Sequence, residues 1–219
     1  MTNNTPTDIT LWHCHDARSL RPLWLLEEMG LPYVLKVLPF PPRVHDPDFL
    51  SLNVLGTVPY FVDGEVTMTE SSAICHYLVT RYPHDELNVP VDHPEYGDFL
   101  NWLYHSDATL TFPQTLVLRY RFFESDERKN PQVADDYAQW FLARLRRLDV
   151  HLGGREYLCA DRFTAADVAI GYALYLGGLN GLADGYSDRV KAYLARLQER
   201  PALQRAITRG AEVGTHRPF

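Results

Sequence analysis

One short stretch limits what this chain can be: Val58-Pro59-Tyr60-Phe61-Val62-Asp63-Gly64, followed closely by Thr69-Glu70-Ser71-Ser72. It reads as a strand, a tight Asp-Gly hairpin, a second strand and a polar helix start. A proline at the mouth of a strand offers no N–H to the ladder, so the chain there is not built to pair with its own sheet. Only X–Pro bonds adopt cis at modest cost, which makes Val58–Pro59 a natural cis candidate. The Val58 N–H and C=O would then face outward, ready to pair with a peptide-like ligand. Glu70 offers an acceptor for an ammonium group. Ser71 offers a hydroxyl, and the helix start offers N–H groups, for a carboxylate. Together these residues suit a small zwitterionic peptide.

The segments before this stretch read as alternating strands and helices. Ile9 to His13 has the pattern of a short strand. A helix follows from about Ser19 to Met29, with Leu20, Leu23, Trp24 and Leu26 on its apolar face. Pro22 is tolerated only in a first turn, so the helix starts near Ser19, at or beside the N-cap. Gly30 and Pro32 end it. Tyr33 to Leu38 is a second strand, parallel to the first if the helix is a crossover. A Pro-rich loop (Pro39, Pro41, Pro42) and a helical turn around Asp48 to Leu52 lead to Pro59. A helix from about Ser71 to Arg81 closes this β-α-β-α-β-β-α order.

The chain is polar and proline-dotted from Pro83 to Pro94, as a linker would be. Beyond it no strand is apparent. Tyr96–His105, Phe112–Phe123, Pro131–Leu152, Ala165–Leu176 and Asp188–Gln198 all read as helices. The expected layout is an α/β domain over 1–83, a linker over 84–93 and an all-α helical domain over 94–219. Its 219 residues are enough for a sizeable core.

A net charge of −7 with no Lys/Arg run argues against nucleic acid as a partner. No apolar run approaches membrane-spanning length, and residues 1–8 show no secretory signal. Three widely spaced cysteines, Cys14, Cys75 and Cys159, do not make a disulfide framework; a cytoplasmic setting is the expectation.

Four pieces, taken in order, resemble the soluble (cytosolic) glutathione S-transferase superfamily in its bacterial-type form. They are residues 17–28 (ARSLRPLWLLEE), 53–59 (NVLGTVP), 69–74 (TESSAI) and 161–167 (DRFTAAD). The resemblance runs over nearly the whole chain. It implies a thioredoxin-like N-terminal domain, a helical C-terminal domain and a homodimer. It also implies glutathione as co-substrate with no metal, and a small hydrophobic electrophile held against the second domain. Carried over, Val58 would bond the cysteinyl backbone of glutathione beside Pro59 and Thr57. Glu70 and Ser71 would hold the γ-glutamyl end. The stretch from Arg43 to His45 would reach the glycyl carboxylate.

The chemistry needs a thiolate, whose pKa a hydroxyl and a positive helix end can lower. Ala17 stands where relatives often carry a catalytic serine. Ser19 is the nearest hydroxyl and Arg18 the nearest cation, so these two are the catalytic candidates. His15, Tyr104, His105, Thr109 and Tyr172 are candidates for the electrophile pocket, although aromatics at helical spacing are more often core. His13-Cys14-His15 invites a metal reading, but no further Cys or His pair completes a tetrahedral set. Cys14 suits a small core residue. Thr164 to Asp167 has the form of a capping box and should be structural. Arg144, Arg146 and Arg147 read as a solvated helix face. The segment from Gly210 to Phe219 is a candidate cover for the cleft.

The function expected on this reading is conjugation of glutathione to an electrophile, in detoxification, or a related lyase, isomerase or dehalogenase reaction. A glutathione-fold binding protein with little turnover is the alternative, kept open by Ala17.

Overall fold

The structure is a computed structural model that describes residues 8–82, 84 and 86–211. Two compact units emerge. Described residues 8–78 and 201–211 form one, and described residues from 79 to 200 form the other.

The first unit is built on four strands: β1 (Ile9–His13), β2 (Val34–Val37), β3 (Tyr60–Asp63) and β4 (Val66–Met68). Their spatial order is β2-β1-β3-β4. β2 lies parallel to β1, as expected for a crossover through α1 (Leu20–Met29). β3 runs antiparallel to β1, and the Asp63-Gly64 turn sets β4 antiparallel to β3. Alternation along β1 turns Ile9, Leu11 and His13 into the core. α1 buries its first seven residues, Leu20 to Leu26, and Gly30 ends it in the left-handed conformation. Two short helices, α2 (Pro42–His45) and α3 (Phe49–Leu52), precede β3, and α4 (Ser71–Arg81) follows β4. The Pro-rich loop of the sequence reading thus contains a helical turn, with Pro42 at its first position, where the missing N–H costs nothing.

One further helix, α10 (Pro201–Gly210), belongs to this first unit although it comes last in the chain. The sequence boundaries did not anticipate it. It carries Ala202, Leu203, Ala206 and Gly210 on its buried face. Glu27 of α1 receives Arg205 and Arg209 of α10, and Arg209 also lies over the Tyr33 ring. The end of α10 comes so close to β1 that a Cβ on Gly210 would stand 2.5 Å from His13 Nε2.

The second unit is helical. Residues 96–123, expected as two helices, form one continuous helical run: α5 (Tyr96–His105), a widened π-type stretch (Ser106–Thr111), α6 (Phe112–Leu118) and a second such stretch (Arg119–Phe123). Pro113 explains the continuity. Its ring would clash with a carbonyl of the preceding turn in a regular helix, and a widened turn relieves that clash. α7 (Pro131–His151), α8 (Ala165–Leu179) and α9 (Asp188–Gln198) complete the unit. Among the described residues no helix is long and apolar enough to cross a membrane.

Asp167, the acid of the expected capping box, does more than cap α8. It is fully buried. Its carboxylate accepts the Thr164 N–H (2.8 Å), the Thr164 hydroxyl (3.1 Å), the Leu158 N–H (3.0 Å) and the Tyr193 hydroxyl (2.8 Å). It therefore ties α9 and the segment before α8 to one point. Burial pushes its pKa up to about 6 against these four bonds. Of the segment from Gly210 to Phe219, expected as a cover, Gly210 ends α10 and the part beyond Ala211 lies outside the described residues.

Replacing Asp167 with Ala leaves four buried donors unanswered and should cost at least about 3 kcal/mol in urea unfolding. The raised pKa also fixes a sign. The folded state holds the Asp167 proton more tightly than the unfolded chain does, so this group's contribution to stability rises as pH falls from about 6 towards its ordinary 3.8. The stability difference between wild type and Asp167→Asn, measured across that range, should shift in favour of wild type. Gly210→Ala, normally helpful in a helix, should instead destabilise by about 1–3 kcal/mol in thermal unfolding, because His13 has nowhere to go.

Candidate functional site

The antiparallel pairing of β1 with β3 and of β3 with β4, and the parallel pairing of β1 with β2, bring four loops to one end of the sheet. They are the turn from Cys14 to Ser19, the stretch after β2, the loop from Asn53 to Pro59 and the Thr69–Glu70 start of α4. The sequence-singled residues of the first unit all lie in these four places.

The loop before β3 is held in shape from within. Asn53 donates from Nδ2 to the Thr57 carbonyl (2.8 Å) and accepts the Leu55 N–H (3.1 Å). Gly56 sits at φ 59° with Arg43 and Leu50 against it; a Cβ there would stand 2.7 Å from Arg43 Cβ. This contact brings the α2 segment, with the exposed His45 at its end, beside the loop that carries Thr57. The Val58–Pro59 bond is cis, as is Phe40–Pro41, which the sequence reading did not single out. Val58 lies before the first paired residue of β3, Tyr60. Among the described residues its N–H and C=O take no hydrogen-bond partner. Thr57 is exposed, Val58 half-buried and Pro59 buried.

Ser71 opens α4 and is buried; Glu70 before it is exposed, with the Thr69 hydroxyl 3.4 Å from its carboxylate. Arg21 of α1, 0% exposed, donates from Nη1 to the Ser71 hydroxyl oxygen at 3.0 Å. A guanidinium buried in the core is costly unless it is bonded, and this one sits directly behind the start of α4. The sequence reading passed over Arg21 as one more residue of an apolar helix. Its signal was a charge on the face that Leu20 and Trp24 help to form.

Ser19 is where the structure revises an expectation. It is the N-cap residue of α1, yet its side chain makes no cap. The third helical position is Pro22, which has no N–H, and the Arg21 N–H is taken by the Arg18 carbonyl at 3.2 Å. The hydroxyl turns inward instead. It lies 2.8 Å from His13 Nδ1, accepts the Cys14 N–H at 3.4 Å and is fully buried. A hydroxyl so placed does not meet a ligand sulfur arriving from solvent. Burial, with the neighbouring His15, holds the His13 imidazole down at about 3. Burial also pushes the Cys14 thiol up to about 12, so that it is not a thiolate at neutral pH. Arg18 and Ala17 are half-buried in the same turn. His15 points its Nε2 towards the Asp16 carboxylate, 3.5 Å away, and Asp16 takes the left-handed conformation at φ 58°.

The remaining pocket candidates belong to the second unit. Tyr104 is 45% exposed at the end of α5, and Thr109 is half-buried in the widened stretch. Tyr172 is corrected: it is 2% exposed within α8, a helix buried from Ala165 to Leu174, and so lines no open pocket. His105 is half-buried, with its ring edge to face with Trp102.

The arrangement can accept a backbone pair at Val58, an ammonium at Glu70 and a carboxylate at the start of α4. The family model of the glutathione S-transferase N-terminal domain matches residues 7–80. Glutathione S-transferase 3 of Schizosaccharomyces pombe is 28% identical over 209 residues, covering 90% of this chain and 85% of that protein. Among solved structures, a glutathione transferase from Methylococcus capsulatus is 26% identical with a TM-score of 0.81, covering 92% of this chain and 98% of that one. A glutathione transferase from Pseudomonas putida, which carries one glutathione disulfide per subunit, is 25% identical with a TM-score of 0.79, covering 94% and 93%. The first unit is thus a thioredoxin-like glutathione S-transferase N-terminal domain, and with its helical second unit the chain is similar to the soluble glutathione S-transferase superfamily over nearly its whole length.

Proposed function

We propose that this protein binds glutathione at the loop end of its first unit and transfers the glutathione thiolate to a small hydrophobic electrophile. The observation that carries the reading is the unpaired N–H and C=O of Val58, set at the same end of the sheet as Glu70, Ser71 and the buried Arg21. A cysteinyl backbone can pair with Val58 beside Pro59 and Thr57. The γ-glutamyl carboxylate can lie on Ser71 and the first N–H groups of α4, with Arg21 adding positive charge from behind. Glu70 takes the ammonium, and the Arg43–His45 segment takes the glycyl carboxylate. The bound glutathione disulfide of the Pseudomonas putida neighbour supports this choice of ligand.

The thiolate sulfur supplies the electron pair for a new S–C bond; in a substitution, the leaving group departs with the pair of the bond that breaks. The protein contributes a lowered thiol pKa and proximity to the acceptor. With Ser19 turned inward, the groups left to favour the thiolate are Arg18 and the positive end of α1. Ser19 is a positioning residue that fixes the turn through His13. Tyr104 and Thr109 are the pocket candidates, and His15 stands beside the thiol. A cytoplasmic homodimer active in detoxification completes the reading.

A glutathione-binding protein with little turnover is the second reading. Ala17 and the inward Ser19 favour it, since no other hydroxyl side chain exists between Cys14 and Ser19.

Calorimetric titration with glutathione tests the ligand. Wild type should saturate, and Ser71→Ala should bind about tenfold more weakly, the scale of one charge-assisted hydrogen bond. An absence of wild-type binding overturns the reading. The thiolate absorbance of bound glutathione, followed against pH, then separates the two residues of the turn. Arg18→Ala should raise the bound thiol's pKa. Ser19→Ala should leave that pKa in place while lowering stability by about 1–3 kcal/mol, because His13 loses its buried partner. Turnover of an aryl halide by wild type decides between enzyme and binding protein.

A further inference from the structure

The helical unit holds a group of cations and ring nitrogens that the glutathione site does not use. Arg144 and Arg147 stand three positions apart on α7. Arg144 lies over the Trp140 ring, 5.2 Å from its centroid, and Arg147 lies over the Trp102 ring at 5.1 Å. Stacking on indole faces orients a guanidinium without consuming its N–H donors in salt bridges. Other arginines of this unit do find carboxylates: Arg119 and Arg128 meet Glu124, Arg121 meets Asp135, Arg155 meets Glu95 and Arg189 meets Asp149. Among the described residues Arg144 and Arg147 meet none. In a chain of net charge −7 an acid partner was readily supplied elsewhere, so this local excess of positive charge is conspicuous.

A second, independent observation lies under the same surface. Trp102 is 0% exposed, and its indole Nε1 has no hydrogen-bond partner; the neighbouring His105 Nε2 is buried and likewise without one. Buried ring nitrogens are nearly always bonded, so two without partners side by side call for an explanation. The His105 and Trp102 rings meet edge to face at 5.3 Å, and His151 of α7 packs on Trp102 from another side while bonding the Leu158 carbonyl at 2.7 Å. Arg147 and Arg144 are the charged groups that act on His105. Burial first, and then these two arginines, hold its imidazole down at about 4. All three arginines of the expected solvated helix face are exposed; Arg146 bonds its own helix at Ala143, whereas Arg144 and Arg147 lie over indole rings.

We propose that the face shared by α5 and α7 binds a small oxyanion, a phosphate or carboxylate group, held by Arg144 and Arg147 with the Trp102 and His105 nitrogens behind it. The anion supplies the charge that the two guanidinium groups lack and an acceptor that the ring nitrogens lack. It also relieves the positive field on His105. The proposal uses no residue assigned to glutathione, so the two readings fail separately.

The test is a titration of the isotope-labelled full-length protein with inorganic phosphate, with sodium acetate, and with sodium chloride at matched ionic strength. The Trp102 indole and His105 imidazole resonances are followed throughout. Saturable shifts at both residues with phosphate alone assign a phosphate-type site, and with acetate as well a general oxyanion site. Arg144→Gln and Arg147→Gln should each weaken binding about tenfold and leave glutathione affinity unchanged. Both side chains are exposed, so folding should survive, and circular dichroism checks that it does. Shifts that grow without saturation in all three salts, or saturable binding that persists in the double variant, overturn the proposal.

Discussion

The contact between the Ser19 hydroxyl and His13 Nδ1 joins three parts of the first unit. His13 ends β1, Ser19 begins α1, and the turn between them includes His15 and Arg18, the residues proposed to face a bound thiol. Because Pro22 removes the N–H that Ser19 would otherwise cap, the hydroxyl is left to hold this turn. The same imidazole lies against Gly210, so the end of α10 rests on the ring that fixes the turn. A neutral, buried histidine serves here as a spacer that must keep one orientation.

Arg21 extends that logic to the other half of the site. Its guanidinium is taken out of water and answered by the Ser71 hydroxyl, which couples the first turn of α1 to the first residue of α4. A ligand bridging Val58 and Ser71 therefore rests on two helices linked through the core, and neither end of the site depends on an isolated loop. In the helical unit Asp167 has the comparable place, collecting donors from three segments at a single carboxylate.

Much of this was legible in the sequence because it rests on backbone rules. Pro59, the Asp63-Gly64 turn, Gly30 and the pairing of Thr164 with Asp167 each restrict the main chain locally, and local restrictions survive translation into three dimensions. The helices Ser71–Arg81 and Asp188–Gln198 end where the sequence said they would for the same reason. What escaped was decided by partners distant in the chain. Nothing near Ser19 reveals that His13 will capture its hydroxyl. Nothing near Arg21 announces Ser71, and nothing near His105 announces arginines some 40 positions later. The run from Tyr96 to Phe123 reads as two helices in sequence, and the widened stretch from Ser106 to Thr111 joins them into one.

The return of α10 to the first unit has a consequence for how the chain is made. A protein synthesised from its N-terminus exposes β1 to α4 long before residues 201–210 exist. Until then the face of α1 around Glu27, and the surface beside His13, have no cover. The first unit is thus discontinuous in sequence, and the helical unit is an insertion within it. Cutting such a chain at the apparent linker would separate an α/β piece from its own last helix, and the fragment would expose apolar surface that the intact protein never shows.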